Sequence, residues 1–229
     1  MINTVYNECE NVMKTIITGG ITTIHPVPFG TSEWYYGLTQ EATDLFEAET
    51  LFQQGHALKR NELCLIHYPD GAVHWPLASI DDGYLAAPVF LENSIYVLSV
   101  SFNEKVIRIY CFDCSSCQVS VLQELPLGIV KNCYNLQLHI KPLCLTRQGD
   151  DNQFEILWPE TCSFELAPHE SFFLRDEDKL YFNKWQEEGE GTEYRYWEET
   201  AVRDLQGNLM EVLPGDICIM PNGETWYIK

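Results

Sequence analysis

Five short apolar runs recur along the chain, each an aliphatic residue, then Tyr or Cys, then another apolar residue. They are Leu63-Cys64-Leu65, Ile95-Tyr96-Val97, Leu143-Cys144-Leu145, Leu180-Tyr181-Phe182 and Ile217-Cys218-Ile219. Their first residues stand at 63, 95, 143, 180 and 217, so the steps are 32, 48, 37 and 37 residues, the range in which one sheet follows another in repeated-sheet architectures. An apolar triplet bounded by turn residues predicts a strand core in which the central Cys or Tyr packs rather than reacts. The polar positions between the triplets gather into turns at Pro69-Asp70-Gly71, Glu92-Asn93, Asn103-Glu104, Cys114–Cys117 and Gly149–Asn152. In the first of these Pro presets φ, Asp bonds its own backbone and Gly takes positive φ. After Gly55 the chain therefore reads as a succession of hairpins.

The part before Gly55 is patterned differently. Residues 1–12 are polar and unpatterned and read as an N-terminal arm, leaving 13–229 as a single β domain. Residues 15–38 are rich in β-branched and aromatic residues, broken by Gly19-Gly20, Pro26 and Pro28, and predict short strand segments. From Thr39 to Gln54 the residues are strong helix formers, with Ala42, Leu45, Phe46 and Phe52 near one stripe and Gly55 where a C-terminal cap belongs. That window predicts a helix near 39–54, with an outer strand over 45–52 as the competing reading.

The last hairpin, DICIMPNGETWYI, repeats the order of ELCLIHYPDGAVHW: an acidic residue, an aliphatic-Cys-aliphatic triplet, a Pro-Asn-Gly or Pro-Asp-Gly turn, and a Trp beyond it. Too little chain follows for a full sheet. Residues 15–38 are available to complete it, which would remove exposed strand edges. On these repeats the chain resembles a small β-propeller of about five short blades closed by the N-terminal strands, over most residues after Gly55. The resemblance is to an architecture, since neither the Gly-His to Trp-Asp signature of WD repeats nor the double Gly of kelch repeats is present. A Greek-key β-sandwich or paired β domains would give a similar alternation of strands and turns.

Length and composition suit this reading. A chain of 229 residues with 45% hydrophobic residues can bury a substantial core. Thirty-four acidic against fourteen basic residues give a formal charge of −20, which repels phosphate backbones and anionic lipid surfaces, so neither nucleic acid nor membrane is an expected partner. The nine cysteines are an odd number, and several sit inside apolar triplets, a usage that suits a reducing compartment. No apolar run approaches the ~18 residues of a membrane span and no signal-like stretch opens the chain. The expectation is a cytoplasmic protein.

Few motifs carry chemistry. Cys111, Cys114 and Cys117 have a C-x-x-C-x-x-C spacing that could present thiolates to zinc or an iron–sulfur cluster, but the fourth ligand and following Pro are missing. His67 and His74 flank the Pro69-Asp70-Gly71 turn; a two-residue loop would set them face to face, and a bulge would place them on opposite faces. No metal and no cofactor follow from these residues. Gly30-Thr31-Ser32-Glu33-Trp34 fails the nucleophile-elbow pattern at its last position, and His169-Glu170 lacks the second His of a zincin helix. Six Trp and twelve Tyr beside many carboxylates would suit a sugar-binding cleft, although packing in the core and between sheets accounts better for the aromatics. Glu187, Glu188 and Glu190 form an acidic run at the tip of a predicted hairpin, a candidate contact for a basic protein.

The sequence thus predicts a non-enzymatic intracellular binding module with an acidic surface. Its partner class would be another protein, one form of which is an immunity or inhibitor protein that captures a basic toxin. The alternative is a carbohydrate-active or other small-molecule enzyme with carboxylates and Trp in a central cleft.

Overall fold

The computed structural model describes residues 13–229; the expected arm at 1–12 lies outside them. The first antiparallel sheet runs in the order β1 (His25–Pro26), β2 (Trp34–Thr39), β3 (Glu62–His67), β4 (Val73–His74), with helix α1 (Leu45–Gln53) between β2 and β3. The second contains β5 (Gly83–Leu85), β6 (Val89–Leu91), β7 (Ser94–Ser101), β8 (Val106–Asp113) and β9 (Gln118–Pro126), both β5 and β6 pairing with β7. The third is a meander of β10 (Leu136–His139), β11 (Cys144–Gln148), β12 (Gln153–Trp158) and β13 (Cys162–Glu165). The fourth is a meander of β14 (Glu170–Asp176), β15 (Lys179–Glu188), β16 (Arg195–Asp204) and β17 (Leu209–Pro214). The last is the hairpin β18 (Asp216–Ile219) and β19 (Thr225–Ile228).

Each apolar triplet falls in a different sheet. In the four larger sheets it lies on an interior strand, β3, β7, β11 or β15, with Leu143 just ahead of its strand. Such a strand is hydrogen-bonded on both edges and packed on both faces, so consecutive residues are apolar rather than alternating. Leu63, Cys64 and Leu65 are all fully buried, as are Cys144, Leu145, Leu180 and Phe182. The sheets are joined in chain order by successive cores. One cluster places Leu63 and Leu65 of the first sheet against Ile95, Val97 and Phe112 of the second. The next packs Leu98, Val100, Ile107 and Ile109 of the second sheet with Leu136 and Leu145 of the third, under Leu45 and Ala48 of α1. Between the third and fourth sheets Phe154 meets Phe172 and Phe182 at ring-centroid distances of 4.7 and 5.2 Å. A buried Phe of this kind contributes about 1.5–3 kcal/mol by removal from water. The result is a propeller-like succession of antiparallel sheets.

The N-terminal segment departs from expectation. Residues 15–38 were assigned to the last hairpin, yet β1 and β2 ladder onto β3, Trp34 opposite His67 and Gly37 opposite Cys64. The hydrophobic edge of β3 offers six register partners to β2, more than the four-residue strands of the last hairpin present. Pro26 and Pro28 lack N–H donors, and only His25–Pro26 of the stretch before Trp34 forms ladder pairs. The last hairpin meets this segment through its turn: Gly30 N–H donates to Pro221 O at 3.0 Å, and Lys141 Nζ, from the β10–β11 turn, donates to Gly223 O.

Helix α1 is shorter than the predicted window. Asp44 caps it by accepting the Glu47 N–H at 2.7 Å, while Glu47 accepts the Thr43 N–H at 2.7 Å. At the other end Gly55 takes φ +81°, its N–H donates to Phe52 O and the His56 N–H donates to Leu51 O, the paired bonds of a Schellman cap. Leu45, Ala48 and Glu49 are buried, whereas Phe46 is exposed. Buried Glu49 accepts the Cys133 N–H at 2.7 Å, tying the helix to the loop before β10.

Candidate functional site

In the fourth sheet β15 and β16 run on past β14 and β17. The β14 ladder with β15 ends at the Glu170–Lys184 pair, and the β17 ladder with β16 ends at Glu199–Pro214. Beyond them β15 and β16 pair only with each other, from Trp185–Glu198 out to Glu188–Arg195. Backbone bonds from Trp185 N–H to His169 O at 3.4 Å and from Gly215 N–H to Glu198 O at 3.1 Å hold the base. Residues 185–198 thus form a two-stranded ribbon closed by Gly189 at φ +80° and a short turn over 190–193.

The ribbon's side chains follow the two-residue period of a strand. Trp185, Glu187, Tyr196 and Glu198 share one face, and Gln186, Glu188, Arg195 and Trp197 share the other. Four aromatic residues, Trp185, Tyr194, Tyr196 and Trp197, are exposed at 37–53%. Three of them are tied to carboxylates: Tyr194 OH donates to Glu187 Oε2 at 3.0 Å, Tyr196 OH to Glu198 Oε1 at 2.8 Å, and Trp197 Nε1–H to Glu199 Oε1 at 3.2 Å. Hydrogen bonding to these carboxylates pushes the Tyr194 and Tyr196 hydroxyls above the ordinary tyrosine pKa, so they stay protonated as donors. At the base the Trp185 indole stacks on the His169 imidazole, 3.6 Å between centroids and 12° from parallel. Within 185–198 the five carboxylates of Glu187, Glu188, Glu190, Glu193 and Glu198 face Arg195 as the sole cation. Ring faces and carboxylates together complement a guanidinium or ammonium group.

No family model matches the chain. No curated protein matches it either. Among solved structures, the chain is similar to the beta-propeller domain of the Trilobed protease from Pyrococcus furiosus, described as having an open velcro topology, with 15% identity and a TM-score of 0.45. The match covers 85% of this chain and 59% of the other, so the chain spans less than two thirds of that structure's length.

The remaining sequence candidates are placed apart from the ribbon. Cys111 lies in β8, while Cys114 and Cys117 lie in the β8–β9 turn. Asp113 organises that turn by accepting the N–H groups of Ser115 and Ser116 at 3.0 and 2.7 Å. Cys114 packs against the core between the first two sheets, and burial, with the negative charge of Asp113 beside it, pushes its thiol up to about 12. Cys133 and Cys144 are likewise pushed up to about 12 by burial, which marks them as small hydrophobes rather than thiolates.

His67 and His74 are neither face to face nor on opposite faces. The His67 N–H donates to Ala72 O and the Gly71 N–H to His67 O, so the loop is longer than two residues and His74 pairs with Leu65. Both imidazoles pack on one face against Trp34, at 4.9 and 5.6 Å, and His67 Nδ1 is 2.9 Å from Asp70 Oδ1. Among the described residues, no group of three or more His, Cys, Asp and Glu is arranged to hold a metal ion.

Sequence reasoning found the acidic tip but missed the exposed rings beside it. Its signal was present: Tyr194, Tyr196 and Trp197 flank the acidic run without any apolar alternation that would bury them. It also missed a cavity of about 450 Å³ to which all five sheets or their loops contribute. Asp216 is the single carboxylate on that wall, and no Trp lines it.

Proposed function

We propose that this chain is a non-enzymatic intracellular binding module whose five sheets close into a small propeller-like ring, and that its ribbon captures a basic protein. The observation that carries the reading is the ribbon 185–198, which presents four exposed aromatic rings among five carboxylates and one cation. Its partner is a protein segment rich in Arg and Lys. Guanidinium groups stack on the rings while the carboxylates accept their N–H groups. The overall charge of −20 adds long-range attraction that speeds encounter. An immunity or inhibitor protein that neutralises a basic toxin has these requirements. Ring closure is supported by the bond from Gly30 N–H to Pro221 O and by the cavity shared by all five sheets.

The test compares the wild-type chain with the triple variant Glu187→Gln, Glu188→Gln, Glu190→Gln as immobilised baits in native lysate. All three side chains are exposed, so the fold is expected to be unaffected. At about 50 mM salt the wild-type bait retains proteins of basic isoelectric point, and about 0.5 M salt releases them. The variant retains them at least about tenfold less. Equal capture by both baits contradicts the reading.

A further inference from the structure

The cavity shared by the five sheets is built from half-buried rather than sealed walls. Phe29 comes from the β1–β2 loop, Val89 from β6, His139 from β10, Asn183 from β15, and Ile217 and Cys218 from β18. Its volume of about 450 Å³ falls within the range of small-molecule sites, which combine apolar walls with a few converging polar groups. The wall matches that description. Apolar side chains make up most of it, and the polar groups are few.

Asn183 is the informative one. Its Oδ1 is buried and has no hydrogen-bond partner. A buried amide oxygen left unpaired forgoes its hydrogen bond to water with nothing in exchange, and such groups are rare enough in folded proteins to call for an explanation. Gln40 Oε1 is also unpartnered, but it lies in the bend before α1 and lines none of this cavity. The Asn183 amide presents either its C=O or its NH₂ by a half-turn about its last torsion with almost no change in shape. Oδ1 as placed is shut off from solvent, so a turn of the amide is the step that brings its C=O or NH₂ to a donor or an acceptor in the cavity that Asn183 lines.

Charge narrows the occupant. His139 sits edge-on to Phe172 at 4.8 Å, in an apolar wall that holds its imidazole neutral. Asp216 Oδ1 accepts the Ile217 N–H at 2.7 Å, and this carboxylate, the single one on the wall, disfavours an anion. No Lys or Arg lines the cavity, so an anion has no counter-charge there.

We infer that this cavity binds a small, non-anionic, mostly apolar molecule, aromatic or aliphatic, that makes one hydrogen bond to the Asn183 side chain. The site is separate from the ribbon in both residues and chemistry. The neutral aromatic amine N-phenyl-1-naphthylamine is a suitable probe, since it fluoresces in apolar surroundings and carries one N–H. It should bind the wild-type chain saturably at one site. Thiol alkylation read by mass spectrometry locates the binding without any substitution: the probe should slow labelling of Cys218 at least about fivefold and leave exposed Cys117 unchanged. Asn183→Leu, of similar volume, should weaken the amine about tenfold, the value of one hydrogen bond. Absence of saturable binding, unchanged labelling of Cys218 at saturation, or undiminished affinity in Asn183→Leu would each overturn the inference.

Discussion

Among the described residues, buried Arg147, Glu170 and Arg175 each face an opposite charge, on Glu155, Arg203 and Glu160, while buried Glu49 accepts a backbone N–H. Glu170, only 5% exposed, accepts from Arg203 through both Nε and Nη2 at 3.0 Å and so links the start of β14 to β16. Removing one partner of such a pair strands the other charge in a low-dielectric site, at about 3–5 kcal/mol. Glu170→Ala should lower the stability measured by urea unfolding by that amount, and an unchanged midpoint would refute the role. His139 supplies a pH effect. Desolvation in the cavity wall lowers its pKa to about 4, against about 6.5 in the unfolded chain. Above pH 6.5 both states are neutral and His139 contributes nothing. Between 6.5 and 4 the unfolded state alone takes the proton, so stability falls as the pH falls, with the loss complete below 4. An NMR titration should place the His139 midpoint near 4, and His139→Phe should make the fall of the unfolding midpoint across that interval shallower.

At the scale of elements, the ribbon is an appendage whose inner half is tied to the sheet and whose outer half is not. Replacing 188–195 with an Asn-Gly turn removes only pairs that β15 and β16 make with each other, and Asn-Gly suits a two-residue hairpin. The thermal midpoint should therefore move by no more than a few degrees, while capture of basic proteins is lost; a chain that no longer folds would show the ribbon to be part of the core. Legibility in the sequence follows the same division. Interior strands were readable because two covered faces leave an unbroken apolar triplet, and α1 because Gly55 marks its end. The pairing of β1 and β2 was not, since register between distant strands is set by matching edges that only the assembled sheet provides. Phe46 misled the helix stripe: it lies against Tyr134 edge-on at 5.3 Å on the side open to solvent. The cavity was invisible for a related reason, its wall being drawn from residues as far apart as Phe29 and Ile217.

The whole molecule joins these levels through one contact. Three cores join the first four sheets in chain order, but the shared cavity also requires the last hairpin to meet the first loop. There Gly30 N–H donates to Pro221 O at 3.0 Å, and a methyl group placed on Gly223 would lie 3.8 Å from the Gly30 Cα. If the sheets close into a ring, protons of these two glycines lie within range of magnetisation transfer although they stand 193 positions apart in the sequence. A nuclear Overhauser spectrum of the full chain should show a cross-peak between Gly30 and Gly223. Both residues assigned and observed with no cross-peak between them would mean that the last hairpin stands away from the first sheet, and the ring would be contradicted.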